Sequence, residues 1–183
     1  MLKTIASAAV VSATALTLGL TAPANADLYG IDDPQDTFHG SDLLAVQLKN
    51  GDRNVVVTTY HTNLRRDPAT GSAGSVYLDT DRNDRGPEFV FVGGYFRGTD
   101  YQLLHTEGFG RNKWGAPADG SHEMTVDYAK ETVRMRMSRR ALDRPGKVRV
   151  AVRIVGTRTD GTSTGLVDWL GKRASFTPWV AKG

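Results

Sequence analysis

Apolar and polar residues alternate along most of the chain after Ser41. Leu44, Val46 and Leu48 alternate with Ala45, Gln47 and Lys49 as far as Asn50-Gly51, a dipeptide suited to a two-residue hairpin. Residues 53–62 follow with Val55, Val56, Val57, Thr58, Thr59 and Tyr60, side chains that fit a pleated, half-buried surface. Over 132–137, Val133, Met135 and Met137 alternate with Thr132, Arg134 and Arg136. Over 147–155, Val148, Val150, Val152 and Ile154 share one face. Shorter strands are expected at 75–78, 87–92 (ended by Gly93-Gly94), 99–105, 123–126 and 176–180, and one helical turn at 138–142. No apolar stripe persists at helical spacing through three turns. Eight to ten short strands separated by turn signals predict an all-β fold, a single antiparallel β-sandwich over 27–183.

The first residues read differently. Lys3 precedes an uncharged run over 4–20, Pro23 breaks it, and Ala24-Asn25-Ala26 has the small-x-small form of a leader cleavage site. Residues 1–26 are therefore expected to be a secretory signal peptide, placing the mature protein outside the cell with no membrane span. The absence of cysteine excludes a disulfide framework, a thiol nucleophile and a Cys-ligated metal.

Charge is uneven along the chain, with seven basic against twelve acidic residues over 27–100 and fifteen against eight over 101–183. Such asymmetry marks either a face for polyanions or an internal electrostatic match. Arg134 and Arg136 point outward from one expected strand, and Arg149 and Arg153 from another. If those strands pair, their cations share a sheet face suited to an anionic extracellular polymer or polysaccharide. The competing reading is a solvated face cross-paired with Asp127, Glu131 and Asp143. No nucleic-acid recognition motif is present.

The segment from Asp79 to Glu88 is rich in oxygen ligands. Asp79, Asp81 and Asn83 stand on alternate positions with Asp84 and Glu88 in reach, the spacing by which a tight loop converges on Ca²⁺. It is not an EF-hand, because no Gly stands sixth and Val90 stands twelfth. The alternative is an Asx turn whose acids pair with Arg82 and Arg85. The run Val76-Tyr77-Leu78-Asp79-Thr80-Asp81-Arg82-Asn83, followed by Gly86-Pro87-Glu88-Phe89, resembles carbohydrate-binding module family 9 and DOMON-like sandwiches. Met135 through Leu142 and the strand from Val148 to Val155 resemble later steps of the same domains. The chain also looks like uncharacterised secreted actinobacterial proteins. The family resemblance implies a structural calcium at Asp79, Asp81 and Asn83; it carries over neither sugar-stacking aromatics nor a haem-ligand pair.

Catalytic patterns are weak. Gly161-Thr162-Ser163-Thr164-Gly165 matches a nucleophile elbow by letters, but no helix pattern follows it and all four histidines precede it. His39, His61, His105 and His122 lack local metal-ligand spacing. Glu107, Glu123 and Glu131 could supply a hydrolytic carboxylate pair only if the fold brought two together. Trp114, in a Gly/Pro-rich stretch, is the candidate sugar-stacking aromatic, while Trp169 and Trp179 are expected to cover the core or its edges. The sequence thus leans away from an enzyme. It points to a secreted, calcium-supported module binding a surface polymer; the alternatives are an exported hydrolase and an envelope interaction domain.

Overall fold

The computed structural model of the protein describes residues 28–34, 42–156 and 166–183. The expected leader, His39 and the Gly161–Gly165 segment lie outside them. Twelve strands appear: β1 (Leu28–Asp32), β2 (Leu43–Asn50), β3 (Asn54–His61), β4 (Ser72–Asp79), β5 (Phe89–Gly94), β6 (Tyr101–Thr106), β7 (Trp114–Pro117), β8 (His122–Asp127), β9 (Thr132–Ser138), β10 (Lys147–Gly156), β11 (Leu166–Trp169) and β12 (Val180–Ala181). They form two antiparallel sheets, β1-β2-β3-β9-β8 and β11-β10-β4-β5-β6-β7, with β12 on β10. The expected sandwich is therefore the fold. A single 3-10 turn over Arg139–Leu142 replaces the helical turn expected at 138–142, its first turn capped by Ser138 Oγ accepting from the Ala141 amide. Among the described residues no helix is long and apolar enough to cross a membrane.

Alternation decides what faces inward. Val55 and Val57 of β3 oppose Met137 and Met135 of β9 in register, and all four are buried. Val76, Leu78, Phe89, Phe91, Leu103, Val150 and Val152 close the core from the second sheet. At β2 the pairing shifts between Leu43 and Ala45, so Leu43 fills the core and Leu44 stays half-buried. A bulge places two residues opposite one and reverses the inward parity at this end. Alternation alone put Leu44 on the same face as Val46 and could not show that shift.

Gly93 and Gly94 do not end β5. They extend it beside Ala73 and Gly74 of β4 because large side chains cover the glycines. A Cβ on Gly74 would lie 1.7 Å from the Tyr95 hydroxyl, and one on Gly93 2.9 Å from Met124 Sδ. Lacking side chains, these positions let aromatic and thioether groups lie on the backbone itself.

The basic strands do not pair. β9 lies between β3 and β8 in one sheet, whereas β10 lies between β4 and β11 in the other. Arg134 and Arg136 are consequently separated from Arg149 and Arg153 by the thickness of the sandwich. Both strands are amphipathic with cations outward, and periodicity cannot say which strand neighbours which. The Gly/Pro-rich stretch around Trp114 is likewise not a free loop. It forms β7, paired to β6 through Thr106↔Trp114 and Leu104↔Pro117.

Candidate aromatic and arginine site

The two sheets differ on their outer faces. In β3 and β9 the outward residues are Thr58, Tyr60, Arg134 and Arg136, polar or only half-buried. Through the middle of β4 and β5, side chains on both faces are buried. One lateral row crosses the sheet in register as Ala151, Tyr77, Val90 and Leu104, and these four form a second apolar cluster outside the core. Val92, Phe109, Trp114, Trp169 and Phe176 pack onto it partly buried.

The aromatic groups are held from separate elements. Tyr77 is nearly inaccessible, and its hydroxyl donates to the Phe109 carbonyl at 2.7 Å, fixing the loop after β6. The Phe109 ring then stands 4.9 Å from Tyr77, 5.9 Å from Trp169 and 5.4 Å from Phe176, centre to centre. Trp169 lies nearly parallel to Tyr77, with ring centres 6.2 Å apart. Its neighbour Asp168 is buried and accepts from the Leu43 amide at 2.7 Å, so an inter-sheet bond fixes the strand end presenting the indole. Asp33 accepts from the Gly171 amide at 2.8 Å just beyond.

Small-ligand cavities span roughly 300–1,000 Å³; the one here measures about 480 Å³ and is lined by Tyr77, Phe109, Trp169, Arg111, Arg153 and Arg173, with no aspartate or glutamate in its wall among the described residues. Arg153 is set by the register of β10, opposite Trp169 on one side and Ser75 on the other. Arg111 lies in a 3-10 turn with its guanidinium 5.6 Å from the Trp114 ring centre. None of the three arginines forms an ion pair among the described residues. Burial pushes the Tyr77 hydroxyl above its ordinary value, with the Arg153 charge the largest influence the other way. It therefore serves as a neutral hydrogen-bonding group and apolar floor. Aromatic planes and guanidinium forks together can hold a ring with an apolar face and an oxyanion.

Of the sequence candidates, Arg153 lines this cavity and Trp114 flanks it, half-buried in the second cluster. Arg134 stays exposed on the opposite sheet, and Arg136 is bound there to Glu123, Nη2 to Oε2 at 2.6 Å. Arg149 is taken by the acidic loop. Its Nε and Nη2 donate to Asp79 Oδ2 at 2.8 and 2.5 Å, and its guanidinium lies 4.6 Å from both the Phe176 and Trp179 ring centres.

The other loop acids have separate tasks. Glu88 Oε2 accepts from the Thr80 amide at 2.6 Å and the Thr80 hydroxyl at 3.1 Å. Asp81 Oδ1 accepts from the amide and side chain of Asn83, and Asp84 Oδ1 from the Arg85 amide. Burial raises the Asp79 and Glu88 carboxyls, opposed by Arg149 and by Thr80 respectively. Among the described residues no three acidic or histidine side chains gather as a metal site. The hydrogen-bonded oxygens of Asp79, Asp81, Asp84 and Glu88 thus point to different partners, with the Arg149 guanidinium against Asp79 Oδ2, while Asp79 Oδ1 is buried without a hydrogen-bond partner. Asp81 and Asn83 form an Asx turn, and the acid–arginine pair of this loop joins Asp79 to Arg149 rather than to Arg82 or Arg85.

The glutamates are dispersed. Glu107 pairs with Lys113 at 4.0 Å, Glu123 with Arg136, and Glu131 Oε2 accepts from the Leu64 amide at 2.5 Å. His61 is buried with Nε2 2.7 Å from Thr59 Oγ1, while His105 and His122 stand at the surface or half-buried.

No known family model matches the chain, and no curated protein matches it.

Sequence reading missed Tyr77, Phe109, Trp169, Arg111 and Arg173. One signal was present: the unbroken apolar runs Val76-Tyr77-Leu78 and Phe89-Val90-Phe91-Val92 contrast with the alternation elsewhere and mark strands covered on both faces. Nothing local indicated that residues more than thirty positions apart would meet above them.

Proposed function

We propose that the protein is a secreted, non-catalytic module that binds a cell-surface or extracellular polysaccharide across the outer face of the β10-β4-β5-β6 sheet. The supporting observation is the aromatic cavity itself: Phe109 and Trp169 remain partly open above a buried tyrosine floor, where a sugar ring can lay its apolar face. The reading of residues 1–26 as a leader places the module outside the cell. None of Glu107, Glu123 and Glu131 lines this cavity, so the carboxylate-pair alternative is not supported at this site.

Co-sedimentation with isolated cell walls and insoluble polysaccharides tests the proposal. The protein should pellet with at least one of them, and Trp169→Ala should lower retention about tenfold through lost stacking, equivalent to about 1.4 kcal/mol. Absence of pelleting with every matrix, or equal retention of the variant, overturns it.

A further inference from the structure

We infer that the chain held in this cavity is anionic, its carboxylate or phosphate oxygens gripped by Arg111, Arg153 and Arg173 while the sugar ring rests on Phe109 and Trp169. This rests on the polysaccharide reading above and names the ligand class. Elsewhere on the sheets Arg149 is matched to Asp79 and Arg136 to Glu123, while Arg134 is exposed on the opposite face. Here three arginines share one concave wall, and among the described residues that wall holds no carboxylate and none of the three has an ion-pair partner. Gathering like charges beside apolar rings raises the free energy of the empty site, and an external oxyanion relieves that repulsion.

The placement of the arginines favours an oxyanion over a neutral hydroxyl. Guanidinium is planar, always charged and shaped to donate two parallel bonds to a carboxylate or phosphate. Arg153 rises from the middle of a central strand, and Arg111 lies over Trp114, so these two forks do not have to be ordered from free solution. Arg173 follows the Gly171 turn after β11 and lines the same cavity. The chain's formal net charge is only +3, so attraction of a polyanion would be local to this wall rather than a property of the whole surface.

The test is affinity electrophoresis of the full chain through gels containing polygalacturonate, a teichoic acid, carboxyl-reduced polygalacturonate or polyglutamate. Wild type, Arg153→Gln/Arg173→Gln and Trp169→Ala are compared, with melting temperature confirming that each variant folds. Retention by an acidic glycan at least tenfold stronger than by the neutral polymer supports the inference, provided the double arginine variant abolishes the difference and its salt dependence. A preference for polygalacturonate or for teichoic acid then names the oxyanion as carboxylate or phosphate. Equal retention by acidic and carboxyl-reduced polymers, sensitive to Trp169→Ala, overturns the anionic assignment and leaves the polysaccharide reading intact. Polyglutamate binding as well as the acidic glycans, with Trp169→Ala silent, overturns the polysaccharide reading and leaves only a cationic site. No retention in any gel overturns both.

Discussion

Gly74 shows how much one missing side chain can decide. Its strand neighbours are packed on both faces, and the Tyr95 ring lies against its backbone with no free volume around it. Adding a methyl group would force the fully buried Tyr95 or strand β4 to move. Gly74→Ala should therefore destabilise the protein by about 2–3 kcal/mol, the upper range for overpacking. Chemical denaturation measures this directly; a change below about 0.5 kcal/mol would mean that Tyr95 relaxes without cost. The site depends on the same β4, which carries Tyr77 three residues later.

At the scale of elements, the Asp79–Arg149 pair joins β4 to β10 in register and extends to the C-terminal segment through Phe176 and Trp179. Asp79 is wholly buried and Arg149 partly exposed, so removing the carboxylate leaves a cation whose hydration is incomplete. Asp79→Asn should cost about 2 kcal/mol, less than the loss expected for a fully buried pair. Trypsin should then cut faster at Lys172 and Arg173, because the segment that stacks on Arg149 loosens. Cutting at the wild-type rate would show that aromatic stacking alone retains the segment. With the Arg149 guanidinium already bound to Asp79 Oδ2, neither calcium nor a chelator should shift the wild-type melting temperature. A calcium-dependent rise abolished by Asp79→Ala with Asp81→Ala would restore the cation loop expected from spacing and family resemblance.

For the whole molecule, acid sensitivity should follow His61. Burial pushes its pKa from 6.5 down to about 4, with a hydrogen bond to the Asp42 backbone acting the other way. Between those values the unfolded chain binds a proton that the fold excludes, so this contribution is intact above pH 6.5 and declines as pH falls toward 4. Asp79 and Glu88, both raised, act in the opposite sense: their contribution weakens as pH rises through the carboxylate range. From pH 7 to pH 5 the protein should lose about 2 kcal/mol through His61, and a folded His61→Gln variant should lose correspondingly less. Denaturant midpoints at the two pH values decide it. An unchanged slope in the variant would assign the sensitivity to another group.

By itself the sequence determined the all-β class, most strand positions and the inward faces of β3, β9 and β10. Those features follow from side-chain alternation, which is local and repeats along each strand. It also supplied Arg153 as an outward cation and the two possible uses of the acidic loop. Tertiary structure decided which strands became neighbours. That placed Arg149 beside Asp79 instead of Arg134, moved the Leu43 end of β2 through a bulge, and turned the stretch around Trp114 into an edge strand. It also assembled Tyr77, Phe109, Trp169 and the arginines Arg111, Arg153 and Arg173 from a central strand, a loop and an edge. The reason is physical: alternation specifies the face of a residue, whereas its neighbour across the sheet depends on pairing between distant segments.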